Sequence, residues 1–151
     1  MRRSLGLYVR IGGGGRLYLF DASSIVNLVK KGVVRPFAYG VTIDLALYEA
    51  LNAVWKECRL LRRFDKDTAL RFVRVLRGVF GAMRVLSIRG LEREVFDLAL
   101  REGLTVYDAS YVCVAIKNGL VLVTDDRELG DRVSKYLRVI DSNEVVKAYR
   151  S

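Results

Sequence analysis

The segment GLVLVTDDREL at residues 119–129 decides the fold. Its apolar run, Leu120 to Val123, is short and rich in β-branched side chains, so it reads as a strand buried on both faces. The run breaks off at Thr124-Asp125-Asp126, and helical spacing takes over from Arg127 to Tyr136. A strand that ends in polar residues and feeds a helix is half of a parallel α/β unit. The same order recurs near the other end of the chain. Arg16-Leu-Tyr-Leu-Phe20 closes on Asp21, and Ser23 to Lys31 carries Ile25, Leu28 and Val29 at helical spacing before Gly32.

Between these two units the pattern keeps alternating. Ala38–Ile43 reads as a short strand. Asp44 to about Leu61 reads as an amphipathic helix with Leu47, Tyr48, Leu51, Val54, Trp55 and Cys58 as its apolar stripe. The spacing predicts a helix over Asp67–Phe80, with Ala69, Phe72, Val73 and Leu76 on one face and Arg71, Arg74 and Arg77 nearer the other. Met83–Ile88 reads as a strand and Leu91–Glu102 as a helix ending at Gly103. Tyr107–Lys117 is a helix stopped by Asn118-Gly119, Leu137–Ile140 a last strand, and Ser142 the cap of a final helix. Strands alternating with helices imply a layered α/β fold with a mainly parallel sheet. Residues 16–151 make one domain, and residues 1–15, ending in Gly12-Gly13-Gly14-Gly15, read as an extension.

Composition narrows the chemistry. A chain of 151 residues, 52% hydrophobic with one proline, fits a single compact domain. Its apolar runs are too short to span a bilayer, and the basic N-terminus lacks the long apolar region of a signal peptide. Cys58 and Cys113 lie far apart in apolar helices, which suits core thiols in a reducing, cytoplasmic setting. Histidine is absent. That excludes the Ser-His-Asp class and leaves hydrolysis to carboxylates, lysine or metal-activated water. The net charge of +9, from 26 Lys and Arg against 17 Asp and Glu, attracts polyanions.

Ligands of open parallel sheets bind beyond the carboxyl ends of the strands, where Asp21 and the Asp125-Asp126 pair stand. Each acid also has a local explanation. Asp21 can cap the helix from Ser23, Asp108 sits three residues after Thr105 as in a capping box, and Asp125 or Asp126 can cap the helix at Arg127. Glu49 can be a solvated position on its helix, although with Asn52 and Lys56 it forms a polar edge beside the apolar stripe. Were these acids to converge, their mutual repulsion would raise their pKa values, and a hard divalent cation would relieve it. Oxygen-only ligands favour magnesium or manganese over zinc. Ser23 and Thr124 would then orient a carboxylate or a water, or else serve as local caps.

The runs FDASSIVNL, YEALNAVWK, VYDASYVCVAIKNG and LVLVTDDREL, in this order from Leu17 to Ile140, resemble the PIN-domain ribonucleases, and among them the VapC-like toxins of toxin–antitoxin pairs. The resemblance implies a three-layer α/β/α sandwich. It places the acids of the family pattern on Asp21, Glu49, Asp108 and Asp126, with Asp125 as rival for the last, and supporting groups on Ser23, Asn52 and Thr124. It further implies endonucleolytic cleavage of RNA with one or two Mg or Mn ions held by Asp21, Asp108, Asp126 and Glu49. A second copy of the chain and a cognate antitoxin are the implied protein partners. Setting the four acids aside leaves 13 acids against 26 bases, so a negative pocket would sit in a positive surface. Arg62, Arg63, Arg71, Arg74 and Arg77 are candidates to track phosphates there.

Competing readings are a PIN-type RNA-processing nuclease outside a toxin–antitoxin system and a non-catalytic RNA-binding or interaction protein. A phospho-acceptor module also gathers acids at strand ends, but the lysine it needs after a late strand is missing, since Leu137–Ile140 runs into Asp141.

Overall fold

The computed structural model describes residues 17–150. Five strands, β1 (Tyr18–Phe20), β2 (Val41–Ile43), β3 (Arg84–Leu86), β4 (Val121–Val123) and β5 (Val139–Ile140), form one sheet in the order β3-β2-β1-β4-β5. Every pairing is parallel. The helices are α1 (Ala22–Lys30), α2 (Leu45–Trp55), α3 (Lys66–Ala82), α4 (Glu92–Glu102), α5 (Val106–Asn118), α6 (Arg127–Val133) and α7 (Ser142–Arg150). They complete a three-layer α/β/α sandwich.

The strand order explains where a site can form. From β1 the chain winds outward through β2 to β3, then returns to lay β4 on the opposite side of β1. The loops after β1 and β4 therefore diverge and leave a crevice at the carboxyl edge between them. Phe20 pairs with Val123, so Asp21 and Thr124 leave the sheet side by side. Asp21 N–H still donates to Val123 O at 3.1 Å, which carries the ladder one residue past the strand.

The central strands are buried on both faces, with Leu19, Phe20, Val41, Ile43, Leu122 and Val123 inaccessible or nearly so. Gly40 marks the tightest approach. A Cβ there would lie 2.7 Å from Phe20 Cε2, and the Phe20 ring is itself held edge-on by Phe37 at 4.9 Å. Gly119 ends α5 in the left-handed region at φ +65°, which lets the chain reverse into β4 within two residues.

Several elements differ from their sequence reading. The stretch expected as a strand over Ala38–Ile43 opens as a 3-10 turn, Arg35–Tyr39, with Pro36 in its first turn, and pairs only from Val41. The helix expected to run to Tyr136 stops at Val133, and that expected to Leu61 widens into a π turn over Lys56–Leu60. Ser142 does not cap α7: Asp141 Oδ1 accepts Glu144 N–H at 2.9 Å, and Ser142 is the first helical residue. Cys113 is buried, whereas Cys58 is half-buried, and both are free thiols. The extension over residues 1–15 lies outside the described residues.

The largest correction concerns α2. Its buried face is Ala46, Ala50 and Val54, while Leu47, Tyr48, Leu51 and Trp55 are exposed. Two apolar phases run along this helix. Packing against α1 and α3 selects the one made of small side chains, which lets the helices approach closely. Val73 on α3 is likewise exposed, and Leu76, Val79 and Phe80 carry that helix's buried contact. Glu57 in the π turn pins α2 to the body, accepting from Lys30 at the end of α1 and from Arg63 at 3.0 Å.

Gly40→Ala should lower stability by about 1–3 kcal/mol through overpacking against Phe20. The expected reading is a lower urea midpoint at unchanged slope; an unchanged midpoint refutes the close approach.

Candidate active site

Asp21 leaves β1 in extended conformation and becomes the N-cap of α1, its Oδ1 accepting Ser24 N–H at 2.9 Å. Ser23 Oγ donates to the same oxygen at 2.7 Å, and Thr124 Oγ1 donates to Oδ2. The capping reading thus holds for this carboxylate, which also stands at the carboxyl edge of the sheet. Its residue is only 6% exposed. Burial pushes its pKa up to about 6, against the downward pull of the Thr124, Ser24 and Ser23 hydrogen bonds.

Both hydroxyls act as relays. Asp125 N–H donates to Ser23 Oγ and Asp126 N–H to Thr124 Oγ1, each at 3.1 Å. Each hydroxyl in turn donates a hydrogen bond to Asp21. The loop after β4 therefore grips the two oxygens of the acid after β1.

The neighbouring pair Asp125-Asp126 divides its labour. Asp125 accepts from Asn27 Nδ2 on α1 at 2.6 Å and from Ser142 N–H at the start of α7 at 2.7 Å, so it braces three elements. Asp126 caps α6, its Oδ1 taking Leu129 N–H at 3.1 Å, and its Oδ2 stays outside that bond. Two clefts meet at Asp126. One of about 150 Å³ is lined by Thr105, Asp108 and Arg132, and one of about 470 Å³ by Asn27, Lys31, Arg127 and Ser142.

Asp108 stands in the first turn of α5, which Thr105 caps by accepting Asp108 N–H at 3.1 Å. Burial, then the charges of Asp126 and Glu49, raise the Asp108 pKa. Glu49 accepts a 2.6 Å hydrogen bond from the Tyr111 hydroxyl, one turn along α5 from Asp108. The Tyr111 ring is buried, and its phenol is driven far up by that burial, by Glu49 as acceptor and by the charges of Glu49 and Asp21. Asp21, Glu49, Asp108 and Asp126 consequently share one electrostatic neighbourhood.

Not every expected residue joins it. Asn52 is exposed on the outer side of α2. Arg62, Arg63, Arg71, Arg74 and Arg77 are exposed, and among the described residues none pairs with the four acids. Arg63 is committed to Glu57. Tyr111 and Asn27 were not singled out from the sequence. Tyr111 lies three residues after Asp108 on the same helical side, a polar tip within an apolar run, and that spacing was the available signal.

The donor set is all oxygen, negatively charged and short of counter-charge, which suits a hard divalent cation. Among the described residues no three Asp, Glu or Cys side chains stand gathered as a ready metal-holding group. The acids face one another electrostatically without being drawn onto one point.

No protein-family profile matches the chain. Two curated proteins of Pyrobaculum aerophilum do. Exonuclease VapC9 is 44% identical over 115 residues, covering 74% of this chain and 82% of that protein. Ribonuclease VapC3 is 43% identical over 93 residues, covering 60% and 69%. Among solved structures, PAE2754 of the same organism superposes with a TM-score of 0.71 at 37% identity, over 89% of this chain and 98% of that one.

Two outcomes follow from the site. An acid whose folded pKa lies above its ordinary 3.8 binds its proton more tightly when folded. Its contribution to stability is therefore complete below about pH 4 and lost as pH rises through about 6. The loss reaches at most about 3 kcal/mol at pH 7 in metal-free protein. Urea titrations in chelator should show this decline, and Asp21→Asn should flatten it; parallel profiles count against it. Asp125→Ala should cost about 1–3 kcal/mol by orphaning Ser142 N–H and Asn27, seen as a lower melting temperature.

Proposed function

Because the chain belongs to the VapC family of PIN-domain nucleases, we propose that it is a divalent-metal-dependent endoribonuclease, acting as the toxin of a toxin–antitoxin pair. The observation that carries this reading is the Asp108 carboxyl, raised by burial and by the charges of Asp126 and Glu49 in a pocket with no histidine. Among the described residues none of the four acids forms an ion pair, and magnesium or manganese is the cation their oxygens suit.

Asp21, Asp108 and Asp126 would hold the metal, with Glu49 as a further ligand or as the group that takes a proton from the attacking water. When bound, the ion supplies charge neutralisation at the phosphate and a lowered pKa for that water. The chain's own groups do the orienting. Ser23 and Thr124 fix both oxygens of Asp21, so this acid is held without rotational search. Thr124 also accepts Asp126 N–H, which couples the two acids through one hydroxyl. Tyr111 occupies Glu49 Oε1 and leaves Oε2 as the oxygen for ligation or proton transfer. Asp125 is the brace and Asp126 the ligand, because both oxygens of Asp125 already accept hydrogen bonds.

The basic surface supports an RNA substrate, and the family supports an antitoxin and a second copy of the chain as partners. Among the described residues no helix is long and apolar enough to cross a membrane. A cytoplasmic location is part of the proposal.

The test is cleavage of a linear and a circular RNA with Mg or Mn, with and without chelator. The expected result is metal-dependent cutting of both, with the rate reduced at least about a hundredfold in Asp21→Asn and Asp108→Asn. Cutting of the linear RNA alone would replace the endonuclease reading by an exonuclease, the activity in VapC9's name. Metal-independent cutting, or full activity in both variants, sinks the proposal.

A further inference from the structure

Arg132 has no part in the chemistry above, yet it ties together the supports of two site acids. It lies one residue before the end of α6, the helix that Asp126 caps. Its guanidinium reaches across to the end of α4, where Nη1 donates to Glu102 O at 3.0 Å and to Gly103 O at 3.2 Å. Nη2 turns back to Glu128 at 3.2 Å, one turn along its own helix. Among the described residues, no other hydrogen bond joins α6 to the corner between α4 and α5. The match is chemical as well as geometric: carbonyls at a helix end carry partial negative charge, and a guanidinium bonds them with charge assistance. Beyond α6, Tyr136 and Lys135 hold the Glu102 side chain, so Glu102 is fixed where Arg132 meets it.

From those carbonyls to Asp108 the chain has little freedom. Gly103 ends α4 at φ +65°, and the N–H groups of Gly103 and Leu104 both return to Ala99 O. Thr105 follows at once as the cap of α5, accepting Asp108 N–H at 3.1 Å. On the other side, Asp126 is fixed to the first turn of α6 through Leu129 N–H. Asp126, α6, Arg132, the corner and Asp108 therefore close a ring around the cleft of about 150 Å³ that these three side chains line.

The ring works against repulsion. The charge of Asp126 raises the Asp108 pKa, so the two carboxylates disfavour each other's ionisation across the cleft. Like charges held close part unless their backbones are tied. Arg132 ties them without engaging them: its hydrogen bonds go to carbonyls and to Glu128, so neither site acid loses an oxygen to it.

We propose that Arg132 is a positioning residue, a strap from α6 to the α4–α5 corner that keeps Asp108 and Asp126 at one cleft to take a divalent cation together. The proposal rests on the metal-dependent ribonuclease reading, but its first readout, metal binding, needs no RNA.

The full chain is titrated with Mn in the absence of RNA, free Mn being followed by its electron paramagnetic resonance signal. Arg132→Ala should bind Mn about tenfold or more weakly, the usual cost of losing a group that orients ligands. Arg132→Lys should fall between the two, because its single ammonium keeps the charge and loses the fork. Gly40→Ala, overpacked far along the chain from this corner, is the control for a general loss of stability and should bind Mn as the wild type does. In cleavage assays, raising Mn should restore most of the Arg132→Ala rate, with KM for RNA unchanged. Undiminished Mn binding in Arg132→Ala, or a loss that Gly40→Ala shares, overturns the strap. If Arg132→Ala does not fold, Arg132→Lys decides, and wild-type affinity there overturns it equally. A wild-type chain that binds no Mn sinks the metal pocket and the strap together. Mn binding that Arg132→Ala weakens, with no RNA cut by the wild type, counts against the ribonuclease reading alone.

Discussion

The arrangement depends on one buried carboxylate. Asp21 sits where β1 and β4 part, almost out of water, and its charge is expensive there. Three donors meet its oxygens, Ser24 N–H and Ser23 Oγ from the first turn of α1 and Thr124 Oγ1 from the loop after β4, yet burial still lifts its pKa to about 6. Hydrogen bonds from neutral groups soften the cost without cancelling it. A full positive charge would, and that deficit is what the rest of the site is organised around.

The surrounding contacts read as consequences. To serve Asp21, Thr124 and Ser23 must be fixed themselves, and backbone N–H groups of Asp126 and Asp125 fix them. To hold that loop, Asp125 is bonded to Asn27 on α1 and to the start of α7. The loop in turn aims Asp126 toward Asp108, which feels its charge. On the far side, the buried Tyr111 hydroxyl holds Glu49, so the helix bearing Asp108 also steadies the acid on α2. Repulsion among the acids is tolerated because each is anchored by a neutral donor or a helix terminus rather than by a lysine or arginine. An arginine in that place would satisfy the charge outright.

Much of this was legible in the chain. The runs Leu17–Phe20 and Leu120–Val123, each followed by an acid and a helix, pointed to the parallel sheet and to the edge where Asp21 and Thr124 leave it. Gly119 and Gly103 marked helix ends correctly, because a left-handed residue leaves a specific signature. What was not legible was set by partners distant in sequence. Asp125 and Asp126 look alike locally, and only Asn27 and Ser142 distinguish the brace from its neighbour. Tyr111 gains its role from Glu49, which lies 62 residues away in sequence. Ser142 lost its capping role to Asp141, the residue directly before it after β5.

The misread face of α2 carries the more general lesson. Periodicity says that a helix has an apolar side; it does not say which of two apolar sides is buried. On α2 the large residues made the stronger pattern, but Ala46, Ala50 and Val54 are what α1 and α3 can approach. Burying Trp55 and Tyr48 instead would have pushed those helices apart and carried Glu49 away from Tyr111. The close packing that brings Glu49 to the site is therefore the same packing that turns the aromatic residues outward. Structural economy on one side of the helix leaves an exposed apolar surface on the other.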